Sequence, residues 1–552
     1  MESKKSDDAH VEDFTRPTFF QFNENPQNDL GKPSMTELAQ RASEMEHSLS
    51  LWQGIKRYRK AVLWSIGFSL AIIMDGYDTA FTATLYAEPS FRRQFGQRYA
   101  GGYQITAGWQ TLLGITGTVC NMIGVFLDGY VSEWIGRKWV TLASLIILSA
   151  TIFCQFFAQS LPVLLVGRMM ASVPIGVFQA STTTYAAEVC PVVLRGYLTT
   201  YVCLCWVIGQ FICSGVTDSV SGMTSDWAYK IIFAVQWAWP LPIFGILIWA
   251  PESPWWLVRK GKLEKAERSV QRLSDSQTNP KNTVAMMAHT VQLELDADIG
   301  SSYWSCFKGN DLRRTEIACM VYGIQALIGN PLQGYSTYFF EQAGLSDSAA
   351  FKLNIGNEAI SFVGTILAWP LLYFFGRRTV YFGGLTMMTA LYFAIGLAAI
   401  PPIRNHSADW AQSALLVVYL FVYCPSVGAT VYAIVGETGA SQLRGKTVAL
   451  ARIFYCIWSI ISGTITPYML NPAAWAWGAK AAFFYGGLSV LCMVWTYFRL
   501  PEMKGRTYEE IDILFQRRIP ARKFKSEVVD AYGENLDLHT WKEKDATYGA
   551  SA

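Results

Sequence analysis

Charged residues stand inside several long apolar stretches of this sequence. Asp75 and Asp78 lie in the first stretch, at positions i and i+3 of a helix and so on one face. Arg168 lies in the fourth stretch and Arg452 in the eleventh. Because a charge in hydrocarbon costs several kcal/mol unless it is paired or hydrated, such residues face the protein interior and are functional candidates. A carboxylate beside an arginine can act as a proton switch, since protonation breaks the pair and proton release re-forms it.

The depths of two of these residues predict which of them meet. At about 1.5 Å per residue, Asp78 is roughly 25 Å along an outward-running first helix, and Arg168 is roughly 10 Å along an inward-running fourth helix. In a hydrocarbon core ~30 Å thick these heights nearly coincide. We therefore predict a proton-coupling Asp78–Arg168 pair with Asp75 beside it. A static ion pair that ties the two helices together is the alternative.

The elements that hold these residues are predicted to be membrane-spanning helices. Of the 552 residues, 51% are hydrophobic and 16% are charged, compared with about 25% charged in soluble domains. A helix needs about 20 apolar residues to cross the hydrocarbon. Twelve stretches qualify, near residues 61–85, 105–131, 139–158, 161–186, 197–216, 230–250, 314–341, 350–373, 379–401, 413–436, 447–470 and 478–499.

Composition and motifs argue against several classes of protein. The net charge is +3 and no basic stripe is present, so no nucleic-acid partner is expected. The 11 cysteines form no C-x-x-C pair and no metal-like spacing with histidine, so no metal is expected. The sequence has no nucleotide-binding loop and no nucleophile–base pair. We therefore expect neither an enzyme nor a cofactor.

Three motifs occur twice in the same order. E-x5-L-R-G runs from Glu188 and again from Glu437, G-R-[KR] begins at Gly136 and at Gly376, and Pro-Glu stands at 251–252 and 501–502. Two parallel repeats of six helices are the design of a secondary transporter, with the substrate held between the halves. The predicted segments are an N-terminal tail 1–59, a first bundle 60–250, a central loop 251–313, a second bundle 314–500 and a C-terminal tail 501–552.

Basic residues on alternate connections place both termini and the central loop in the cytoplasm. The repeated motifs then put two similar charge sets at the inner rim, which suits a latch between helices; charges that only orient their helices are the alternative. Arg452 lies ~9 Å from the inner end of its helix, within reach of Glu437. The predicted gating set is Glu188, Arg195, Arg137, Glu437, Arg444, Arg377 and Arg452.

Uncharged amides inside the spans indicate a cavity for a neutral, polyhydroxyl solute. Amides can hydrogen-bond hydroxyl groups, and the abundant Trp and Tyr rings can pack on apolar sugar faces. Each amide taken alone is as well suited to bridging helices as to binding a ligand. The set is Gln110, Gln210, Gln236, Gln325, Asn330, Gln333 and Asn357.

The loop and the tails carry weaker signals. Leu263, Ala266, Val270 and Leu273 recur at helical spacing and predict a short amphipathic helix in the central loop. Residues 1–55 and 520–552 are polar and are expected to be mostly disordered. The N-terminal lysines, Lys4, Lys5 and Lys32, are candidate targets for ubiquitin and endocytic machinery.

With these residues together, the sequence resembles the sugar porter family of the major facilitator superfamily. The resemblance covers about residues 60–525 and rests on Gly76-Tyr77-Asp78-Thr79, on Gly167-Arg168 and on the repeated motifs. Pro251-Glu252-Ser253-Pro254 and Tyr468-Met469-Leu470-Asn471-Pro472 are also similar to those of fungal maltose permeases, which are α-glucoside:proton symporters.

The resemblance implies roles for individual residues. Asp78 would be the proton-coupling aspartate and Arg168 its partner. Gln210 and Gln325 would bind sugar, and Tyr432 would stack against it. The chain departs from hexose porters where Cys203 and Ala326 replace glutamines and Pro331 replaces an asparagine, although Asn330 is adjacent. These losses argue against a plain hexose carrier.

Together these features favour a proton-coupled α-glucoside carrier of the plasma membrane. A carrier or facilitator for another neutral solute, such as a hexose, a polyol or quinate, is the first alternative. A sugar receptor that does not transport is the second, and the short C-terminal extension argues against it.

Overall fold

In a computed structural model the chain is almost entirely helical. The structure describes residues 34–529, apart from 86–87, 100–101, 221–222, 224, 276–277, 297–301, 330–346, 401–405, 471–474, 476 and 528. The β-strands of this part of the chain form one short antiparallel hairpin, made of β1 Gln97–Tyr99 and β2 Gly102–Gln104.

The first half begins with two short helices, α1 and α2, ahead of the first span. In chain order its helices are α1 Met35–Ser48, α2 Leu51–Arg57, α3 Arg59–Ser69, α4 Ala71–Leu85, α5 Pro89–Phe95, α6 Ala107–Ile135, α7 Arg137–Phe156, α8 Leu161–Val189, α9 Val192–Val220, α10 Trp227–Val235 and α11 Pro240–Trp249. A 3₁₀ turn over Gln236–Ala238 separates α10 from α11.

The central loop and the second half supply the remaining helices. They are α12 Pro254–Arg259, α13 Leu263–Leu273, α14 Pro280–Asp296, α15 Gly309–Ile324, α16 Asp347–Phe374, α17 Arg377–Ala398, α18 His406–Tyr423, α19 Ala429–Thr438, α20 Arg444–Leu470, α21 Ala481–Arg499 and α22 Tyr508–Gln516. Two π-helical turns, Gln325–Gly329 and Cys424–Gly428, follow α15 and α18.

Eleven helices or helix pairs of the described chain are long and apolar enough to cross a membrane. The first six fall between Arg59 and Trp249, and the other five between Ile355 and Arg499. The seventh predicted stretch, 314–341, is described as far as Gly329, as α15 and the π turn after it. The spans are therefore divided between two halves of the chain, as the repeated motifs predict.

The two acidic residues of α4 are positioned by a close contact with α9. A Cβ atom added to Gly76 would lie 1.9 Å from the backbone oxygen of Trp206, and one added to Gly209 would lie 2.2 Å from that of Ile73. Small residues allow such an approach of two helix backbones in a membrane. The contact fixes the rotation of α4, and with it the directions of Asp75 and Asp78.

A layer of short helices covers one end of the bundle. This helical layer consists of α1, α2, α12, α13, α14 and α22, and its apolar contacts include Trp255, Val270, Met287 and Tyr508. The predicted amphipathic helix is confirmed as α13, whose Ala266, Val270 and Leu273 are buried.

Helix α1 overturns part of the expectation for the amino-terminal tail. Disorder was expected through residue 55, but residues 34–55 are folded as α1 and most of α2, so the prediction is wrong there. The polar sequence of α1 is held by tertiary contacts: it packs against α14, and its Glu46 carboxylate accepts a hydrogen bond from the Val192 N–H at 3.3 Å. Lys4, Lys5 and Lys32 lie outside the described residues.

The repeated Pro-Glu motif caps one helix in each half. Glu252 accepts hydrogen bonds from the N–H groups of Arg137 at 3.1 Å and Lys138 at 3.2 Å, at the start of α7. Glu502 accepts from Arg377 at 2.9 Å and from the next residue at 3.2 Å, at the start of α17. A carboxylate satisfies the free N–H groups of a helix start and interacts favourably with the helix dipole. The last connection of each half is thereby tied to its third span.

Candidate functional site

The centre of the first half contains the ion pair predicted from depth. Arg168 of α8 donates from Nη1 to Oδ1 of Asp78 on α4 at 3.1 Å, and both side chains are mostly buried. A Cβ added to Gly117 of α6 would lie 3.3 Å from the Arg168 Nε, so a glycine leaves room for the guanidinium there. Phe81, one turn beyond Asp78, places its ring 6.0 Å from the guanidinium carbon. An acid paired in this way has a partner to release when it takes a proton.

Asp75 takes part in a second contact, which crosses to the other half of the chain. Its Oδ1 accepts a hydrogen bond from Nε2 of Gln179 at 2.9 Å. Oε1 of the same Gln179 accepts from Nε of Arg452 on α20 at 2.7 Å. Asp75 and Gln179 are buried, so one amide links an acid of the first half to a cation of the second. We call Asp75, Gln179 and Arg452 the bridging triad.

Arg452 was expected within reach of Glu437, and that expectation is wrong. Glu437 is paired with Arg377 at 3.0 Å, whereas Arg452 binds Gln179 and lies 4.3 Å from the centre of the Tyr455 ring. Depth along a helix gives the height of a residue but not its direction around the axis. Gln179 is uncharged and carried no signal in the sequence beyond its place in the fourth stretch.

Two π-helical turns meet beside the bridging triad. Gln325, which opens the first π turn, donates to the backbone oxygen of Gly428, which ends the second, at 3.1 Å. The Cys203 thiol of α9 reaches the same oxygen at 3.8 Å. Tyr432 is buried and meets Tyr322 edge-on, with ring centroids 5.7 Å apart. π turns interrupt regular helices at functional sites, and these bring polar groups of both halves together.

The other predicted amides have different surroundings. Gln210 is half-buried on α9, and Asn357 and Gln236 are buried. Gln110 donates to the Ile105 oxygen near the start of its own helix, at 3.0 Å. Asn330 and Gln333 lie outside the described residues.

A further acid, which is not among the predicted site residues, also lies in a span. Glu358 follows Asn357 on α16, and its Oε2 atom is buried without a hydrogen-bond partner among the described residues. A glutamate in the eighth predicted stretch could have been found by the search that found Asp75 and Asp78.

The end of the bundle under the helical layer is closed by charged residues, and we call it the layer-side rim. Glu188 is bound by Arg259 at 3.1 Å, by Arg137 at 3.6 Å and by the Ser253 hydroxyl at 2.5 Å. The equivalent Glu437 is bound by Arg377. Arg259 belongs to α12 of the central loop and was not predicted to take part. Its Nη1 also donates to the Ser441 oxygen at 2.9 Å, so it contacts both halves.

The layer-side rim is also crossed by packing between equivalent motifs. A Cβ added to Gly445 would lie 2.8 Å from a guanidinium nitrogen of Arg137, and one added to Gly196 would lie 2.4 Å from that of Arg377. The glycine of each L-R-G motif therefore makes room for the arginine of the other half's G-R-[KR] motif. A Cβ on Gly436 would lie 3.4 Å from that of Ala187, at the equivalent position of the other repeat.

Two predicted gating residues have surroundings other than expected. Arg195 and Arg444 form no ion pair with a described carboxylate. Their guanidinium carbons lie 3.5 Å and 3.6 Å from the centre of the Tyr508 ring. Tyr508 stands after the last span, in a segment for which the sequence predicted only a tail.

Buried carboxyls in the helical layer face the layer-side rim. Glu294 of α14 accepts hydrogen bonds from the Ser441 N–H at 2.5 Å and from the Gln442 N–H at 3.1 Å. Burial raises the pKa of Glu294 to about 8, and the nearby Asp512 carboxylate adds to the rise. Burial likewise raises the pKa of Glu509 on α22, which accepts from the Thr290 hydroxyl at 2.5 Å, to about 7.

Helices in two halves, membrane-embedded acids paired with arginines and a closed rim at one end define the chain as a multi-pass membrane transporter. It belongs to the sugar (and other) transporter family, whose family model matches residues 64–515. The predicted family is thus confirmed.

Relatives of this chain include permeases of the yeast Saccharomyces cerevisiae. The chain is 38% identical over 525 residues to a general alpha-glucoside permease of Saccharomyces cerevisiae, covering 94% of this chain and 85% of the relative. It is 36% identical over 504 residues to a maltose permease of the same yeast, covering 90% and 82%.

A solved structure has the same fold. The proton:xylose symporter XylE, bound to 6-bromo-6-deoxy-D-glucose, superimposes with a TM-score of 0.72 at 20% identity. The match covers 84% of this chain and 100% of that one. The predicted all-α fold, two repeats of six helices as in the major facilitator superfamily, is confirmed.

Proposed function

We propose that this protein carries α-glucosides, maltose-like disaccharides, across the plasma membrane together with protons. The observation that carries the proposal is the buried Asp78–Arg168 pair, in a chain whose relatives at 36–38% identity are α-glucoside and maltose permeases. An ion pair inside the membrane provides a site where proton binding changes the interactions of two helices.

The substrate class is supported by the groups around the two π turns. Gln325 and half-buried Gln210 offer uncharged hydrogen-bonding groups, and Tyr432 offers an aromatic face. Neutral amides beside aromatic rings suit hydroxyl groups and the apolar faces of a sugar. Cys203 and Ala326 are smaller than the glutamines of hexose porters, which leaves more room for a second sugar ring. Asn330 and Gln333 remain proposed sugar ligands on sequence grounds.

The transport cycle follows from two separate sets of contacts. With the layer-side rim closed, sugar enters from the opposite face and a proton binds Asp78, which weakens its hold on Arg168. The bridging triad and the ion pairs of Glu188 and Glu437 then rearrange as the halves rock about the site. Sugar and proton leave on the layer side, and the Asp78–Arg168 pair re-forms.

The helical layer is proposed to lie in the cytoplasm, together with both chain termini. Basic residues gather on the connections at this end, including Lys56, Arg137, Arg268 and Arg378. Such residues are retained on the cytoplasmic side of a membrane. The partners are then the sugar, the proton and the bilayer, with ubiquitin and endocytic machinery as proposed partners of the amino-terminal lysines.

The test is uptake of labelled maltose, with external pH recorded, by cells that lack their own α-glucoside carriers. Uptake accompanied by alkalinisation of the medium is expected. Uptake without alkalinisation would leave a facilitator. No uptake of maltose by protein present at the cell surface would overturn the α-glucoside assignment, and direct uptake of labelled hexoses, polyols and quinate would then identify the solute.

A further inference from the structure

The Tyr508 side chain lies between the two halves of the protein. Arg195 and Arg444 are equivalent residues of the two L-R-G motifs, and their guanidinium carbons lie 3.5 Å and 3.6 Å from the centre of its ring. Two guanidinium groups cannot both lie this close over one face of a six-membered ring without overlapping. They therefore lie on opposite faces, and the ring stands between one arginine of each half.

Because Arg444 is buried, its charge depends on the Tyr508 ring for stabilisation. The residue is 0% exposed, and its Nε, Nη1 and Nη2 atoms have no hydrogen-bond partner among the described residues. A buried cation without hydrogen bonds is strongly disfavoured unless another group compensates. The face of an aromatic ring attracts a guanidinium, more strongly when both are desolvated. The Trp255 ring is farther away, at 5.7 Å, so Tyr508 supplies the main compensation.

Tyr508 contacts the first half at two points. Besides stacking on Arg195, its hydroxyl donates to the Ala187 backbone oxygen at 3.0 Å, in the last turn of α8. The carbonyls of the last turn of a helix have no partner within the helix, so this donor satisfies one of them.

Helix α22, which carries Tyr508, is itself fastened to the second half. Asp512 of α22 binds Arg314 of α15 at 2.5 Å, and Phe515 lies 4.7 Å from the same guanidinium. When the halves separate at the layer-side rim, Tyr508 therefore stays with the second half. The contacts that must break are those with Arg195 and Ala187.

We propose that Tyr508 is the positioning residue of the layer-side gate: its ring, held between Arg195 and Arg444, keeps the two halves closed until it leaves the first half. This rests on the proposed function, in which the halves rock about a central site. It adds a residue outside the membrane spans whose ring sets how often the gate opens.

The experiment measures gate opening directly, without substrate. Thr199 of α9 is buried, and its methyl carbon lies 3.4 Å from where a Cβ on Gly436 would stand, so it lies between the halves. A Thr199→Cys reporter in purified protein reacts with a soluble maleimide only while the gate is open. Mass spectrometry of the peptide separates it from the native cysteines, and Glu264→Cys, at an exposed position of α13 outside the spans, reports general reactivity.

Tyr508→Leu is expected to raise the labelling rate of the reporter at least about 10-fold, because the closed state alone loses the contacts of Tyr508 with Arg195 and Ala187. Tyr508→Phe keeps both ring contacts and loses only the hydrogen bond to Ala187, so its labelling rate is expected to rise less than that of Tyr508→Leu. Phe524→Leu removes a buried ring from the segment after α22, beside Phe515 and away from the gate, and is the matched control. Arg195→Gln, which empties one face of the ring, is expected to raise the rate too and serves if Tyr508→Leu does not fold.

An unchanged reporter rate in folded Tyr508→Leu and Arg195→Gln protein would overturn the proposal. An equal rise for Phe524→Leu would also overturn it, because the effect would then belong to the C-terminal segment as a whole. The outcome does not depend on maltose or on a proton gradient, so failure of the transport assignment would leave this test intact.

Discussion

Asp75 and Asp78 lie one turn apart on α4, and their contacts lead to arginines in different halves of the protein. Asp78 binds Arg168 of the first half at 3.1 Å, whereas Asp75 is joined through Gln179 to Arg452 of the second half. Protonation of Asp78 therefore changes contacts within one half, and protonation of Asp75 changes a contact between halves. Because the two acids lie one turn apart, a change in the charge of one acts electrostatically on the other and couples the two sets of contacts.

Asp78→Asn is expected to abolish accumulation of sugar against its gradient. Asparagine has the shape of the acid and can still bind Arg168, but it takes up no proton, so uptake continues only until internal and external sugar are equal. The measurement is steady-state accumulation of labelled maltose, together with the pH of the medium. Asp226→Asn, at the exposed start of α10, is the matched control. Persistent accumulation in Asp78→Asn would move the proton site elsewhere, with Asp75 and Glu358 as the acids to examine next.

Gln179→Leu is expected to lower kcat/KM for uptake about 10-fold or more, because it leaves Asp75 and Arg452 buried without the amide that serves both. In a double-mutant cycle with Arg452→Met, we expect a coupling free energy of about 1–3 kcal/mol. Gln110→Leu, which removes an amide bound near the start of its own helix, is the control. Simple additivity of the two substitutions would show that the bridging triad does not act as a unit.

Ala187→Cys combined with Gly436→Cys is expected to lock the layer-side rim. The Cβ positions would be 3.4 Å apart, close to the ~3.8 Å typical of disulfides. Oxidation should stop maltose uptake and a reductant should restore it, whereas either single cysteine should transport under both conditions. Undiminished uptake by fully cross-linked protein would mean that the halves do not separate here during transport.

Glu294 is expected to make the stability of the helical layer depend on pH. Its pKa is raised to about 8 in the folded protein, mainly by burial. The folded state therefore binds its proton more tightly than the unfolded state, and this stabilisation is complete below the ordinary pKa of about 4.5 and is lost as pH rises through about 8. The melting temperature of purified protein should fall between about pH 4.5 and 8, and Glu294→Gln should flatten that fall. Exposed Glu264→Gln on α13 should leave it unchanged.

Several features of the fold followed from pattern alone. The E-x5-L-R-G motifs at Glu188 and Glu437 identified the two halves, because equivalent spans place equivalent charges at the same end. The Asp78–Arg168 contact followed from helix direction and rise per residue, since two residues at one depth in adjacent helices can meet.

Other features depended on quantities that the sequence does not carry. The partner of Arg452 depends on the rotation of α20 about its axis, and the sequence gives only distance along it. The folding of α1 depends on α14 and on the first turn of α9, which are far away in the chain. Tyr508 belongs to no periodic pattern, and its role arises only where the two halves and the C-terminal segment come together.

The carboxylate caps of Glu252 and Glu502 have a consequence for the order in which the protein is made. Each cap joins the end of a half to that half's own third span, so neither half needs the other to complete this contact. Once Glu252 has left the ribosome, the first half has every residue required to close, while the second half is still to be synthesised. The nascent chain can therefore insert and finish its first bundle before the second begins, and the gate between them is the last part of the molecule to form.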